Sequence, residues 1–347
     1  MKFAIAVTMS RIDPSEDMRE TLRHGLELVR IAEQGGFEIA WAPEHHTIEL
    51  TIAPNPFPIL AQWAAHTTRI RLGTAVVVAP YWHPIKLAGE AALFDVMSDG
   101  RLEFGIGRGA FQYEFDRMAN GIDQRVGMKY MQEALPAVLA LWAGDYQHQG
   151  EFFSFPRSTS VPKPLQKPHP PLWVPCRDPG TFDWAIKAGA NIMATPLSRP
   201  AGEVRVLGQK FGRMLADNPG VPRPRFMMLR RAHVYEDPAD WRTPVQASIA
   251  YARYFANLFQ NVGGVNNGFA ELADAERLAN PEDYQEDNVR ENMLFGTPDE
   301  VIEKLRLYQD SGVDLFCYGA SFDMGRKATV RSLELFIERV MPAFASA

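Results

Sequence analysis

A helix-to-strand junction of this chain reads Met97-Ser98-Asp99-Gly100-Arg101-Leu102-Glu103-Phe104-Gly105-Ile106. The helical stretch stops at an Asp-Gly pair, and a run of mainly apolar residues begins directly after it. Glycine accepts the left-handed backbone that closes a helix, and a short apolar run without strict alternation is typical of a strand covered on both faces. The junction therefore predicts a helix followed by a buried strand of a parallel sheet.

The same kind of junction occurs three more times along the chain. Residues 32–36 precede the run 37–41, residues 188–190 precede 191–194, and residues 310–312 precede 313–317. The remaining apolar runs lie at 2–8, 70–79, 172–176 and 226–235. Together these runs supply eight candidate strands separated by helices, which predicts an α/β protein of the (β/α)8 TIM barrel class.

The spacing of the candidate strands also locates two insertions. Most strands start about 30 residues apart, but long connections follow strand 4, around 145–170, and strand 7, around 236–297. A barrel of this type needs about 250 residues, so a surplus of about 100 in this chain fits in those two connections. We predict a single domain over residues 1–347, with insertions after strands 4 and 7.

The two insertions differ in composition. The first contains polar and aromatic residues at 145–155 and then a proline-rich stretch at 161–171, which predicts a surface hairpin followed by an extended linker. The second contains Asn261-Val262-Gly263-Gly264-Val265-Asn266-Asn267-Gly268, for which we expect no regular structure, and then an acidic stretch to Asp287. This segment is either a mobile loop over an active site or disordered chain without a function.

Composition excludes several classes of protein. Lys and Arg number 36 against 42 Asp and Glu, giving a net charge of −6, and no basic run is present, so a nucleic-acid partner is not expected. No apolar stretch approaches the roughly 18 to 20 residues that a membrane-spanning helix requires. The first residues form a candidate strand without a cleavage site, and the two cysteines, Cys176 and Cys317, suit a reducing compartment, so we expect a cytoplasmic protein.

Catalytic groups in such barrels come from the carboxyl ends of the strands. The second strand ends in Trp41-Ala42-Pro43-Glu44-His45-His46. Histidine can act as a base, an acid or a metal ligand near neutral pH, and an adjacent glutamate can set its tautomer. Neighbouring histidines on extended chain point to opposite faces, so a shared metal is not expected. The alternative is that one histidine makes a polar loop contact and the other is packed.

Strands 4 and 5 end in residues suited to an anion. Gly105-Ile106-Gly107-Arg108-Gly109 exposes backbone N–H groups around a guanidinium, which suits a phosphate, although the spacing is not that of a dinucleotide fingerprint. Asp178 can cap a helix that starts at Pro179, and Arg177 beside that helix start would provide a second anion-binding wall. The alternatives are a structural Arg108, a solvated Arg177 and an Asp178 that acts only as a cap.

A third strand end offers a flat surface. The residues Gly73-Thr74-Ala75 are small enough to let a planar ligand approach the backbone closely. The same small residues could instead only fit the taper of the barrel interior.

These strand ends resemble those of the bacterial luciferase-like flavin-dependent monooxygenases, a family of (β/α) barrels. The resemblance covers nearly the whole chain. The motifs that carry it are Met1-Lys2-Phe3, Trp41-Ala42-Pro43-Glu44-His45-His46, Gly73-Thr74-Ala75-Val76, His83-Pro84, residues 95–105, Arg108-Gly109, Gly296-Thr297-Pro298-Asp299-Glu300, and the closing segments 335–336 and 340–342.

The resemblance implies particular residue roles. His45 matches the histidine that handles the flavin hydroperoxide, and Ala75-Val76 falls where the family has a non-prolyl cis peptide against the flavin ring. Arg108 matches the phosphate-binding arginine, and Glu114 takes the place of an aspartate. Phe111 stands where luciferase has a tyrosine, and Arg177-Asp178 replaces a Glu-Ser pair that contacts the phosphate. The predicted catalytic residues are Glu44 and His45, and the predicted cofactor-binding residues are Ala75, Val76, Arg108, Phe111, Arg177, Asp178 and Thr181.

The resemblance also implies a reaction. Reduced FMN from a separate flavin reductase would react with dioxygen to form a flavin hydroperoxide, which oxygenates a small organic substrate. A lid over residues 262–290 and apolar walls such as Phe57, Trp63 and Trp82 would exclude water. The protein is then expected to be a homodimeric flavoprotein oxidoreductase without a metal.

Two other functions remain open at this point, and a third is disfavoured. Barrels of this superfamily also transfer hydride with a deazaflavin, and some members bind flavin without catalysis. A metal-dependent hydrolase barrel would need more His and Asp at the strand ends than the eight histidines of this chain provide.

Overall fold

The computed structural model describes residues 1–320 and 322–345, so position 321 and the last two positions of the predicted domain lie outside the described residues. Most strands of the chain are followed by a helix. The strands are β1 (Lys2–Ala6), β2 (Ile39–Ala42), β3 (Arg71–Thr74), β4 (Val77–Val78), β5 (Leu102–Gly107), β6 (Tyr146–Gln149), β7 (Ser154–Ser158), β8 (Leu172–Pro175), β9 (Asn191–Ala194), β10 (Phe226–Val234), β11 (Val265–Asn266), β12 (Phe269–Ala270), β13 (Leu294–Gly296) and β14 (Leu315–Gly319). The helices are α1 (Met18–Gln34), α2 (Pro56–Ala64), α3 (Pro84–Met97), α4 (Gln112–Met118), α5 (Gly127–Ala143), α6 (Pro179–Lys187), α7 (Gly202–Asp217), α8 (Arg242–Gln260), α9 (Glu286–Asn292), α10 (Pro298–Asp310) and α11 (Arg326–Leu335).

Eight parallel strands close into a barrel. Their order around the ring is β1, β2, β3, β5, β8, β9, β10 and β14, and the ring closes because β14 pairs with both β10 and β1. Each of the eight candidate strands of the sequence corresponds to one barrel strand, so the predicted TIM barrel is confirmed. Beyond the ring, β4 pairs with the end of β5, and β13 pairs with the end of β10.

The helix-to-strand junctions contain residues with positive φ angles, as their glycines predict. Helix α3 ends at Met97, and Asp99 and Gly100 then adopt positive φ angles of 53° and 74°. Gly312 does the same after α10, with φ of 80°. A left-handed residue after the last helical turn redirects the chain at little cost when it lacks a Cβ. The chain can therefore enter β5 and β14 within a few residues.

Large aromatic side chains fill the barrel interior. Trp41 and Trp173 are fully buried there, with ring centroids 5.3 Å apart in an edge-to-face arrangement. A Cβ on Gly73 would lie 2.2 Å from the Trp41 ring, so this glycine makes room for the indole. At Gly73 the structure thus supports the simpler alternative, in which a small residue fits the packing of the interior.

The first insertion follows the prediction. β6 and β7 form an antiparallel hairpin, and the linker after it contains the cis peptides Val161-Pro162 and Lys167-Pro168. The Glu133 carboxylate of α5 holds the hairpin, because it accepts hydrogen bonds from the backbone N–H groups of residues 151–153 and contacts the His148 ring. These contacts bind the insertion to the outside of the barrel.

The second insertion is more regular than predicted. The expectation of no regular structure over 261–268 is wrong, because β11 and β12 form a two-stranded ribbon around Asn267-Gly268. Both turn residues have positive φ, 48° and 85°, which is the conformation that Asn-Gly favours in tight hairpins. The Gly268 carbonyl accepts a hydrogen bond of 2.7 Å from the Glu49 N–H, which fixes the ribbon to the loop after β2.

No helix among the described residues is both long enough and apolar enough to cross a bilayer.

Candidate active site at the mouth of the barrel

A cavity of about 410 Å³ lies at the carboxyl ends of the barrel strands. Its lower wall comes from strand ends around the ring and includes Ala6, Thr195, Leu229 and Gly319. Its upper wall consists of α8 and residues 279–284, which we call the roof. A concave, largely apolar space at this end of a barrel is where ligands of this fold class bind.

The roof presents one aromatic face to the cavity. Tyr251, Phe255 and Phe259 are four residues apart on α8 and therefore lie along one side of the helix. The rings of Phe255 and Phe259 stack with centroids 5.9 Å apart, and Phe111 meets Phe255 edge-on at 5.4 Å. Phe111 lies just before α4, so aromatic contacts connect the roof to the chain that follows β5.

His45 is held by two of its neighbours. Its ring stacks on Phe111 at 5.0 Å, and its Nδ1 lies 3.2 Å from Oε1 of Glu114. The same Glu114 oxygen accepts a hydrogen bond of 2.6 Å from the His46 N–H, and the carboxylate is buried. The Nε2 atom of His45 makes no hydrogen bond with any described residue. Glu114 therefore fixes the orientation of the His45 ring through one nitrogen and leaves the other available.

Glu44 faces a different group of side chains. Its buried carboxylate accepts hydrogen bonds from the Val78 N–H at 2.8 Å and from Trp82 Nε1 at 2.9 Å, and it contacts His46 Nε2 at 2.7 Å. A glutamate does orient a neighbouring histidine, as the sequence indicated, but Glu44 orients His46 while Glu114 orients His45. The two adjacent imidazoles diverge, as expected for extended chain.

Tyr81 packs against the same histidine segment. Its ring meets His46 edge-on at 5.3 Å, and its buried hydroxyl has no hydrogen-bond partner among the described residues. Burial and then the charges of Glu114 and Glu44 raise the pKa of Tyr81 well above its usual value. The hydroxyl therefore remains protonated.

The peptide bond between Ala75 and Val76 is cis, as the resemblance predicted. Both residues pack on the interior cluster of the barrel together with Ala6 and Leu229, which line the cavity. A Cβ on the neighbouring Gly107 would lie 2.4 Å from Cγ2 of Val76. Glycine at 107 thus allows β5 to approach the cis peptide closely.

Two arginines at the mouth lack a carboxylate partner. The exposed Arg108 guanidinium makes no hydrogen bond or ion pair with the described residues. Arg177, at the end of β8, lines the cavity, and among the described residues its guanidinium makes no ion pair. Burial lowers the pKa of Arg177; the charge of Glu203 opposes this, and the charges of Arg108 and Arg199 add to the lowering.

Asp178 caps helix α6, as predicted. Its carboxylate accepts hydrogen bonds from the Thr181 N–H at 3.0 Å and the Thr181 hydroxyl at 2.7 Å. Burial alone would raise the pKa of Asp178, but these hydrogen bonds outweigh burial, so the pKa is lowered. Asp178 and Thr181 are thus each other's hydrogen-bond partners at the start of α6.

Comparison with known proteins identifies the family. The sequence profile of the luciferase-like monooxygenases matches residues 1–315. The chain belongs to the luciferase-like monooxygenase family. It is 40% identical to the oxygenase component of a flavin-dependent trigonelline monooxygenase from Acinetobacter baylyi, over 99% of this chain and 96% of the relative. The predicted family and the predicted enzyme class, a flavin-dependent monooxygenase, are confirmed.

Solved structures of other proteins have the same fold as this chain. A monooxygenase from Streptomyces bottropensis superposes with a TM-score of 0.83 at 27% identity, over 99% of this chain and 100% of that one. A type II Baeyer-Villiger monooxygenase from Pseudomonas putida, solved with FMN, gives 0.79 at 17% identity, over 99% and 98% of the two chains. An F420-dependent secondary alcohol dehydrogenase gives a TM-score of 0.74 at 18% identity, over 99% of each chain. At 17% and 18% identity, these last two likenesses show the fold alone.

Sequence reasoning missed several residues of this luciferase-like site. Phe57 and Trp63, expected as walls, pack in the core outside the barrel strands, while α8 supplies the aromatic wall. The spacing of the α8 aromatics, every fourth residue, was a usable signal. A second signal was the pair Arg230-Arg231 near the end of the seventh strand, since strand ends supply site residues.

Proposed function

We propose that this chain is the oxygenase component of a two-component enzyme that uses reduced FMN and dioxygen to oxygenate a small organic substrate, with FMN supplied by a separate flavin reductase. The observation that carries the proposal is the pair of unpaired guanidinium groups, Arg108 and Arg177, at a mouth that also contains the cis Ala75-Val76 peptide. The relative named as an oxygenase component supports the separate reductase.

The residues present fit FMN. Arg108 and Arg177 would hold the phosphate, because a dianion needs cations that no other group neutralises. Ala75, Val76 and Phe111 would contact the flat ring system. Asp178 and Thr181 would shape the phosphate site through the start of α6, whose N-terminus favours an anion. When bound, reduced FMN supplies the electrons that activate dioxygen.

His45 is the proposed acid or base of the reaction. Its Nε2 is available to hold or transfer a proton, while Glu114 fixes the ring through Nδ1. Glu44, which we also expect to matter for catalysis, acts as a positioning residue in this proposal, since its oxygens are engaged by Val78, Trp82 and His46.

The first substrate to test is trigonelline, because the relative that is 40% identical carries that name. Trigonelline is a methylated pyridinium ring with one carboxylate, and a compound of this size is compatible with a cavity of about 410 Å³. We further propose a homodimeric, single-domain cytoplasmic enzyme, which the family resemblance and the two buried free cysteines support. Light scattering of the pure protein tests the dimer.

The phosphate site is tested with two flavins. Arg108→Gln and Arg177→Gln are each expected to weaken FMN binding by about 10- to 100-fold, because a hydrogen bond to a charged group contributes about 1.5–3 kcal/mol. Riboflavin, which lacks the phosphate, should bind the variants and the parent equally. Flavin fluorescence titration measures both constants.

Arg125→Gln is the matched control, because Arg125 is exposed and pairs with Asp123 outside the cavity. Equal losses for FMN and riboflavin, or preferential binding of a deazaflavin by the parent protein, would contradict the proposal. Oxygen consumption with formation of an oxygenated product then tests the reaction itself.

A further inference from the structure

The cavity carries more positive charge than one phosphate accounts for. Four arginines line it, Arg177, Arg199, Arg230 and Arg231, against a single carboxylate, Asp283. The whole chain is acidic, with a net charge of −6. A cation withdrawn from water is costly unless an anion or hydrogen-bond acceptors compensate it.

Three of these four arginines are accounted for. Arg177 faces the proposed phosphate site. Arg199 lies 3.8 Å from the Asp283 carboxylate. The buried Arg230 donates hydrogen bonds to three backbone carbonyl groups, those of Asn292, Leu197 and Arg199. Neither Arg199 nor Arg230 therefore needs an added anion.

Arg231 is the exception. It is half-buried near the end of β10, and it donates one hydrogen bond to the Ser248 carbonyl at 3.2 Å and one to the Ser198 hydroxyl at 3.1 Å. Its guanidinium carbon lies 5.8 Å from the centre of the Tyr251 ring. Among residues 1–320 and 322–345, no carboxylate is within 4.0 Å of it. Burial lowers the pKa of Arg231 to about 10, so the group is still charged at neutral pH.

The remaining donors of Arg231 are suited to a planar anion. A guanidinium has five N–H donors, and only two nitrogens of Arg231 have protein acceptors. A carboxylate matches two parallel donors of such a fork. Tyr251 and Phe255 of the roof lie along the same cavity and provide an apolar surface for an aromatic ring.

We propose that Arg231 binds the carboxylate of the substrate, and that the enzyme therefore selects small aromatic or heteroaromatic carboxylic acids. The inference rests on the proposed function, since it names the substrate class of the same site. The two anion sites are separate in the ring of strands. Arg108 follows β5, whereas Arg231 lies on β10, three strands further round.

The test compares acids with their amides. Binding of trigonelline and 1-methylnicotinamide, and of benzoate and benzamide, is measured by calorimetry on the FMN-loaded parent and on the variants. We expect the parent to prefer each acid. Arg231→Gln should weaken acid binding by about 10- to 100-fold and amide binding by less than about 3-fold, since the carboxamide group has no negative charge to pair with the guanidinium. Arg231→Lys should retain part of the preference. Among the acids that are oxidised, the KM should rise while kcat changes little.

Arg223→Gln is the matched control, because Arg223 precedes β10 at the opposite end of the barrel and pairs with Asp314. A parent protein that binds amides as tightly as acids overturns the inference, as does an Arg231→Gln variant that loses both equally. A loss of FMN affinity equal to that of Arg108→Gln would assign Arg231 to the flavin and also overturn it. These binding results decide the inference even if the loaded enzyme oxygenates neither acid, an outcome that would bear on the proposed function alone.

Discussion

Two adjacent histidines of the site are held by two different carboxylates. His45 contacts Glu114, which comes from the helix after β5, whereas His46 contacts Glu44, its neighbour in sequence. Alternation of side chains along extended chain separates the two rings. Each carboxylate thus controls one imidazole, and only His45 is stacked on the aromatic group that reaches the roof.

Glu114→Gln should lower turnover more than it lowers flavin binding. The amide is similar in size but has no charge, so it holds Nδ1 of His45 less strongly. Because a positioned acid or base contributes about 100-fold or more, we expect kcat to fall at least about 10-fold. The FMN dissociation constant should change much less, because the Glu114 carboxylate contacts His45 and His46 rather than the proposed phosphate-binding arginines.

The same substitution at Glu133 provides the control. Glu133 is also engaged by a histidine and by backbone N–H groups, but it holds the β6–β7 hairpin away from the cavity. Steady-state kinetics of both variants measures the effect. An unchanged kcat in the Glu114 variant would mean that the ring orientation does not limit the reaction.

At the scale of elements, β3 and β5 pack closely against each other beside the cis peptide. A Cβ on Gly105 would lie 2.0 Å from the Thr74 carbonyl oxygen, which belongs to the backbone of β3 and cannot rotate away. The Thr74 hydroxyl also bonds to the N–H and carbonyl of Gly105. β3 and β5 are thus held in contact just before the Ala75-Val76 peptide.

Gly105→Ala should destabilise the fold. Overpacking a rigid core costs about 1–3 kcal/mol, and here the obstructing atom is backbone. The control is Gly212→Ala in α7, where a Cβ meets no atom within 4 Å and helix propensity favours alanine by up to about 1 kcal/mol. The free energy of unfolding, measured in urea, should fall for Gly105→Ala and rise for Gly212→Ala. A Gly105→Ala variant as stable as the parent would show that β3 and β5 can separate.

The elements of the barrel could be predicted because each one carries its own signal. Glycine-closed helices and short apolar runs located all eight ring strands. The roof helix α8 carries an aromatic repeat too, but the glycine-rich run after it is typical of a loop, so local patterns in this insertion point in two directions. The pairing of His45 with Glu114 was beyond local patterns, since 69 residues separate them. The cis peptide was predictable only through the family resemblance.

For the molecule as a whole, β10 is the strand on which barrel and insertion meet. It pairs with β9 and β14 in the ring and with β13 after the insertion. His233 lies on this strand, opposite Phe295 of β13 and edge-on to Phe322. Burial lowers the pKa of His233 to about 4. A buried neutral imidazole therefore lies where the barrel strand β10 meets β13.

This histidine should make global stability depend on pH. Its folded pKa of about 4 is below the value of about 6.5 expected in the unfolded chain, so the unfolded state binds more protons between those values. The stabilisation is present above about pH 6.5 and decreases as the pH falls towards about 4, by up to about 3 kcal/mol.

The His233→Gln variant should lack this pH-dependent part of the folding stability. Urea unfolding of the parent and the variant at a series of pH values between 7 and 4 measures it, and the difference between the two curves isolates this side chain. Parallel curves would show that His233 is not the group responsible.

The ribbon formed by β11 and β12 has a consequence for how the enzyme is entered. Its turn is bonded through the Gly268 carbonyl to Glu49, three residues after His46. The ribbon, which follows the roof helix α8 in the chain, is thus bonded to the segment that carries the two histidines. A displacement of the ribbon would therefore have to break this hydrogen bond or move the histidine segment with it.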